Sequence, residues 1–289
     1  MLAEALGRAT GRRFAPAPGA DVHGGSIHRC VRWDTESGPV FVKLAPAAQA
    51  DVFEAEADGL CALAESGAVR VPAVIATVTT DSEAALVLQW LDLDGGSARA
   101  EAVLGRQLAA LHRVQGPAFG WHRDNTIGRT PQVNTQDADW PRFYAAHRLG
   151  YQLALARRNG LPSRTVTRGE HLVEASPAFF AAYRPGPSLL HGDLWGGNWA
   201  VERPGGAPVL FDPAVYFGDR EADLAMTRLF GGFGPAFYAA YEEAWPLDAG
   251  ASERRPLYDL YHVLNHYNLF GGGYGAQAGR LIEQLLAER

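Results

Sequence analysis

The segment Leu189–Ala200 reads LLHGDLWGGNWA, with an aspartate at 193 and an asparagine five residues later at 198. A second aspartate, Asp212, stands fourteen residues beyond Asn198 in the run Val209-Leu210-Phe211-Asp212-Pro213. Phosphoryl transfer from ATP needs these residue types in this order. One carboxylate takes the proton of the attacking hydroxyl, while an amide oxygen and a second carboxylate hold Mg2+ on the phosphates. The layout parallels H-R-D-L-x-x-x-N followed by D-F-G. On that parallel Asp193 is the expected base, and Asn198 and Asp212 are the expected Mg2+ ligands. Gly196 and Gly197 let the backbone turn sharply, and His191 is expected to brace the loop without titrating. Asp, Asn and Gly are also ordinary turn residues, so H-G-D alone would say little. The complete triple, with an apolar strand leading into Asp212, carries the reading.

The first third of the chain supplies an independent set. Lys43 stands in the apolar strand Val40-Phe41-Val42-Lys43-Leu44, an awkward place for a purely solvated lysine. It is expected to reach the α- and β-phosphates, like the lysine of V-A-I-K, and to pair with an acid on the next helix. Glu54 and Glu56 are both available there; Glu56 is favoured because it leaves Phe53, Leu60 and Leu63 to the core face. The loop His23-Gly24-Gly25-Ser26-Ile27 is not G-x-G-x-x-G. Its place before a hairpin and the lysine strand makes Gly24, Gly25 and Ser26 the expected phosphate cover, where backbone N–H groups approach phosphate closely. Leu86–Leu91 is then the adenine strand, offering backbone groups of Gln89 and Leu91 to the base, with Leu88 and Trp90 as neighbours.

These residues need elements to position them. Helix is expected over 2–10, strand over 27–33 and 40–44, and an amphipathic helix over 50–65 that Gly67 stops. Val69–Val78 and Ala84–Leu91 read as further strands, with Pro72 at an edge position. Asp92–Gly96 looks like a linker, after which Ser97 caps a long helix to about Val114. From there the pattern is mainly helical, over 139–158, 176–183, 219–229, 235–244, 254–270 and 276–287. The expected fold is α+β and bilobal: residues 1–91 form an antiparallel sheet with a helix and bind ATP, and residues 92–289 form a mainly helical lobe with the catalytic loop and substrate site.

The bulk properties agree. The chain has 289 residues, ample for two lobes. A net charge of −6 argues against nucleic acid as a partner. Cys30 and Cys61 make no disulfide framework and are expected to be reduced. No apolar run reaches the ~20 residues of a membrane span, and the first residues lack the apolar core of a signal peptide. A cytoplasmic protein with no membrane association and no obligate protein partner is expected.

Several longer segments resemble the fructosamine-3-kinase (ketosamine-3-kinase) family, within the aminoglycoside-phosphotransferase-like group. They are HGDLWGGN at 191–198, FDPAVYFGDREADLA at 211–225, LFGGF at 229–233, WHRDNTIGRTPQVNTQDADWPRFYAAHRL at 121–149 and LNHYNLFGGGY at 264–274. HGDxxxxN is shared by many sugar and antibiotic kinases; TIGRTPQVN…DW together with HGDLWGGN is far more specific. The resemblance implies a bilobal kinase fold, ATP and Mg2+, and phosphorylation of the C3 hydroxyl of fructosamines or ribulosamines. It also implies that Asp193 is the base, Asn198 and Asp212 hold metal, and Lys43 and Glu56 form the phosphate-binding pair. Trp195, His266 and Asn268 are candidates to touch the sugar. Asn125, Gln132 and Asn134 either touch substrate or only fold their segment. Glu221 and Asp223 are expected to brace the catalytic loop or cap their helix. Some relatives carry Cys where this chain has Ser26, so a thiol switch there does not carry over. Two alternatives remain: a kinase for another hydroxyl compound such as an aminoglycoside, choline or a sugar, and a nucleotide-binding pseudokinase. A protein kinase is disfavoured because no A-P-E segment follows Asp212.

Overall fold

The computed structural model describes residues 2–22 and 28–287. The chain begins with α1 (Leu2–Thr10), β1 (Arg29–Thr35), β2 (Gly38–Pro46), α2 (Ala50–Glu65), β3 (Val74–Thr79) and β4 (Glu83–Gln89). The four strands form one antiparallel sheet in the order β1-β2-β4-β3. Side chains on a strand alternate between faces, and β4 shows the result. Ala85 and Val87 join Val31, Val40 and Val42 under α1, whereas Leu86 and Leu88 join Phe53, Leu60 and Leu63 of α2. Both faces of the sheet are therefore covered, which explains the unbroken apolar run Ala84–Leu88.

Three short strands and a helix follow in the order β5 (Leu93–Asp94), α3 (Ala98–His112), β6 (Asn125–Ile127) and β7 (Thr130–Gln132). Next come α4 (Trp140–Tyr144), α5 (Tyr151–Arg158) and α6 (Ser163–Ala175). Then β8 (Ser188–Leu190), β9 (Trp199–Glu202), β10 (Ala207–Leu210) and β11 (Tyr216–Gly218) frame the catalytic segment. Helices α7 (Arg220–Leu229), α8 (Pro235–Ala244), α9 (Ala251–Phe270) and α10 (Tyr274–Ala287) complete the bundle. Ser97 caps α3 by accepting from the Ala100 N–H at 3.2 Å, as its type and position predict. α3 packs on α8 through Gly105, where an added Cβ would lie 2.3 Å from the Phe237 carbonyl oxygen. Gly105→Ala is expected to destabilise the protein by about 1–3 kcal/mol or more, seen as a lower urea midpoint with an unchanged slope.

Three expectations need correction, one helix was not expected and one forms with an interruption. Residues 69–73 are not strand: only Val74–Thr79 pairs with β4, and Arg70 instead bridges to Val209. Pro72 lacks the N–H that a ladder needs. The expected linker 92–96 contains β5, which pairs with β9. α6 went unpredicted because Thr165, Val166, Thr167 and Gly169 are weak helix formers. Packing holds it, with Val166 and Leu172 buried and Leu153 and Ile282 against Gly169. The helix expected over 176–183 shrinks to a 3-10 turn at Ser176–Phe180. The expected helix 139–158 does form, but with a π-helical stretch at Ala145–Gly150 between α4 and α5.

Candidate active site

Lys43 lies opposite Cys30 on β1 and Leu86 on β4. Alternation turns Val42 and Leu44 toward α1 and Lys43 toward α2. Its Nζ donates to Glu56 Oε1 at 2.6 Å and to Asp212 Oδ1 at 2.7 Å. One buried ammonium thus ties the sheet, α2 and Asp212, two residues beyond β10, together. Burial works against its charge, but the two carboxylates outweigh that and raise its pKa. Burial pushes Glu56 up, while Lys43 pulls it back. Glu54, the other acid considered, lies 4.0 Å from Arg123 on the solvent side.

The catalytic segment leaves β8 at Leu190. Gly192 turns with φ +84°, and a Cβ there would sit 2.0 Å from the Ala214 carbonyl oxygen, so no larger residue fits this crossing. Asp223 of α7 receives the N–H groups of His191 and Gly192, each at 2.8 Å. It also lies 3.2 Å from His112 Nε2. Burial alone would raise Asp223; the bonds from His112 and Gly192 hold it below the usual carboxylate range. Burial lowers the His191 pKa, keeping the ring neutral. That ring donates from Nε2 to the Phe211 carbonyl at 3.1 Å and accepts the Asp193 N–H at Nδ1, 3.3 Å away. The expected brace is therefore a neutral histidine hung on a buried carboxylate.

Asn198 donates its amide N–H to the Asp193 carbonyl at 2.8 Å and to Asp193 Oδ2 at 3.3 Å. Its nitrogen is committed to the aspartate, so only its amide oxygen could hold a cation. Asp212 adopts φ +56°, a left-handed conformation rare outside glycine and found where surrounding structure dictates it. Burial, then the charge of Asp212, pushes the Asp193 carboxyl up to about 7.

These groups meet in a cleft of about 110 Å3 lined by His28, Lys43, Glu56, Asp193, Asn198 and Asp212. Asn125, Thr126, Gly128 and Trp195 complete its wall. An apolar cavity of about 410 Å3 adjoins it, sharing Cys30 and Asp212 and lined by Phe41, Leu88, Trp90, Leu91 and Phe211. A flat apolar slot beside a polar cleft suits a nucleotide base and its phosphates.

A sequence model of the fructosamine kinase family matches residues 1–288. The chain belongs to the fructosamine kinase family. A Synechocystis protein named as a ketoamine kinase is 44% identical over 288 residues, covering 99% of this chain and 96% of its own. A chloroplastic protein-ribulosamine 3-kinase of Arabidopsis thaliana is 42% identical over 268 residues, covering 92% and 81%. A solved Haemophilus somnus structure, assigned to the fructosamine-3-kinases, superposes with a TM-score of 0.90 at 29% identity, covering 99% and 96%. The fold is thus the bilobal kinase-like one, and a fructosamine kinase draws its phosphoryl group from ATP.

The remaining candidates scatter. Gly24, Gly25 and Ser26 fall in 23–27, outside the described residues. Trp195 stands at the cleft, 40% exposed. Asn268 does not line the cleft: it donates to Gln152 Oε1 at 2.7 Å and accepts from Asn159, tying α9 to α5. His266 bonds to the His262 carbonyl and packs between Phe230, Phe270 and Tyr274. Glu221 neither braces the loop nor caps the helix; it pairs with Arg254 at 2.7 Å, and Asp219 is the cap. The N–H of Gln89 goes to the Ala73 carbonyl and its side-chain oxygen to Arg70, while Gln89 and Leu91 both line the slot. His28, Thr126 and Cys30 line the cleft and were not singled out from sequence. Alternation along β1 could have found Cys30, which faces Lys43 in the register.

Proposed function

We propose that this fructosamine kinase transfers the γ-phosphoryl of ATP to the C3 hydroxyl of ketosamines, on fructosamine and ribulosamine adducts alike. The observation that carries the reading is the seat of Asp193, held by Asn198 on one side of a cleft whose other wall is the Asn125–Gly128 segment. An acceptor lying against that wall brings its hydroxyl to a carboxylate whose raised affinity suits it to take a proton. The names of the cyanobacterial and plant relatives support the acceptor class.

The donor set also suits a hard cation: one amide oxygen from Asn198 and one carboxylate from Asp212, too few to cage Mg2+ without phosphate oxygens. Bound there with ATP, Mg2+ would neutralise charge on the β- and γ-phosphates. Lys43 then holds the α- and β-phosphates, and Glu56 fixes the direction of its side chain. The base stacks in the slot by Leu88 and Leu91, with Gln89 acting through its backbone carbonyl rather than its N–H or side chain. The phosphate-covering loop is 24–26, and Trp195 offers a face to the sugar. In this reading the hinge falls between residues 91 and 92, with the nucleotide on 1–91 and the acceptor on 92–289. The C3 phosphate is a leaving group: loss of a C1 proton gives the C1–C2 enol, whose electrons expel phosphate and release the amine on hydrolysis. We place this deglycation in the cytoplasm, where ATP is available; among the described residues no helix is long and apolar enough to cross a membrane.

Incubation with ATP, Mg2+ and either ribuloselysine or fructoselysine is expected to add one phosphate to the ketosamine, read by mass spectrometry. Phosphorylation of kanamycin or choline with none on either ketosamine would overturn the acceptor class. Binding of ATP with no turnover of any acceptor would favour a pseudokinase.

A further inference from the structure

The β6–β7 hairpin lines the acceptor side of the cleft through Asn125, Thr126 and Gly128. The amides of Asn125 and Gln132 are engaged behind the cleft. Asn125 donates to the Val215 carbonyl at 2.8 Å, and Gln132 donates to the Ala214 carbonyl at 3.1 Å and to Asn125 Oδ1 at 2.8 Å. Ala214 and Val215 follow Asp212 by two and three residues. One hairpin thus forms the acceptor wall and grips the backbone directly behind Asp212.

Two buried side chains hold the hairpin from below. Tyr261 of α9 donates its hydroxyl to Gln132 Oε1 at 2.7 Å. Arg148 donates to Asn134 Oδ1 and to the Val133 carbonyl, both at 2.7 Å, and Asn134 in turn donates to Asn125 Oδ1 at 3.0 Å. Arg148 is fully buried, stands 4.0 Å above the Tyr216 ring, and has no carboxylate within ion-pair distance among the described residues. Its Nε finds no partner. A buried cation without a counter-ion is costly. The π-helical stretch 145–150 that carries it also departs from regular helix, a feature that recurs at functional sites.

We propose that Tyr261 and Arg148 are positioning residues for acceptor binding. Through Gln132 and Asn134 they lock the hairpin in the register that sets the acceptor wall against Asp193 and the segment behind Asp212. Neither touches the nucleotide slot. This rests on the acceptor reading given above, and the test separates the two.

The probe is Tyr261→Phe, which deletes one hydroxyl and keeps the ring. Loss of a single buried hydrogen bond corresponds to a change of about threefold to tenfold. The KM for fructoselysine is expected to rise by that factor while the KM for ATP stays within about twofold. Arg148→Lys, which retains charge without the two-pronged donor set, is expected to show the same split. Amide hydrogen exchange over 125–134, which needs no substrate, is expected to quicken in Tyr261→Phe while exchange in β1–β4 does not change. Unchanged exchange over 125–134 overturns the proposal whatever the acceptor proves to be, as does a parallel rise of both KM values with falling thermal stability. Absence of wild-type turnover on fructoselysine counts against the acceptor reading alone, and the exchange comparison still decides this one.

Discussion

Asp193→Asn is expected to lose ketosamine phosphorylation by about 10^2–10^4-fold in kcat, the range for a positioned general base, while gaining stability above neutral pH. The two effects have one cause. Asp193 is packed at the cleft floor near Asp212 and Asp223, and burial followed by those charges pushes its carboxyl up to about 7. An acid whose folded pKa lies above its unfolded value holds extra protons in the native state. Wild-type stability therefore declines as pH rises from about 4, the unfolded value, to about 7, the folded one. The full cost is present above that window. Asparagine carries no charge to desolvate and can still face Asn198, so the variant's advantage grows across the window and levels off. Its size is on the order of 1–3 kcal/mol, allowing for solvent access to the carboxylate. The check is urea denaturation of both proteins at pH 5 and pH 8, with turnover measured alongside. Equal stability differences at the two pH values would remove the raised carboxyl from the account, and near-normal turnover would remove Asp193 as the base. With ATP and Mg2+ saturating, the acid limb of kcat/KM for the ketosamine should lie above the usual carboxylate range but below 7, because a cation on Asp212 offsets one of the charges that raise it.

Lys43→Met should be the most disruptive single change in the cleft. The residue is 5% exposed, and two carboxylates depend on its charge. Methionine fills the stem's volume but leaves Glu56 buried without a cation. Breaking a buried ion pair from one side costs about 3–5 kcal/mol. Glu56 is already raised by burial in the presence of Lys43, and without it the carboxyl rises further. The variant's Glu56 takes up a proton on folding, so its deficit against wild type is largest above that raised pKa and shrinks as pH falls through it. Lys43→Met/Glu56→Gln should recover most of the stability and none of the activity, because the phosphate contact is still missing. A double variant as unstable as Lys43→Met would show that packing, not the orphaned charge, carries the loss.

The grouping of Asp193, Asn198 and Asp212 in one cleft was legible from sequence because they sit close together in the chain. Asp193 and Asn198 share one loop, and a carboxylate that closes a buried strand has few roles other than the one read for Asp212. The pairing of Lys43 with α2 was legible for a similar reason: strand alternation and helix periodicity each leave one face for a charge. The same periodicity selected Glu56 over Glu54 before any contact was seen.

What the sequence left open depends on contacts across long stretches of chain. Asn125, Gln132 and Asn134 had equal claims to touch sugar or to fold their segment. Their partners are Val215, Ala214, Tyr261 and Arg148, none of which a local pattern can name. Asn268 looked like a sugar contact until α5 was found to satisfy it. Gln89 looked like a hinge donor until its N–H was found in the sheet. Glu221 stood two residues from Asp223 with the same expected duty, yet helix geometry turns Asp223 to the catalytic loop and Glu221 to Arg254. By itself the sequence determined the fold class, the grouping of Asp193, Asn198 and Asp212 and the Lys43–Glu56 pair, since these follow from spacing and periodicity within single elements. Only the tertiary structure decided which polar side chains face the cleft and which are consumed in holding it, because a buried donor or acceptor takes whichever partner packing brings within 3 Å or so.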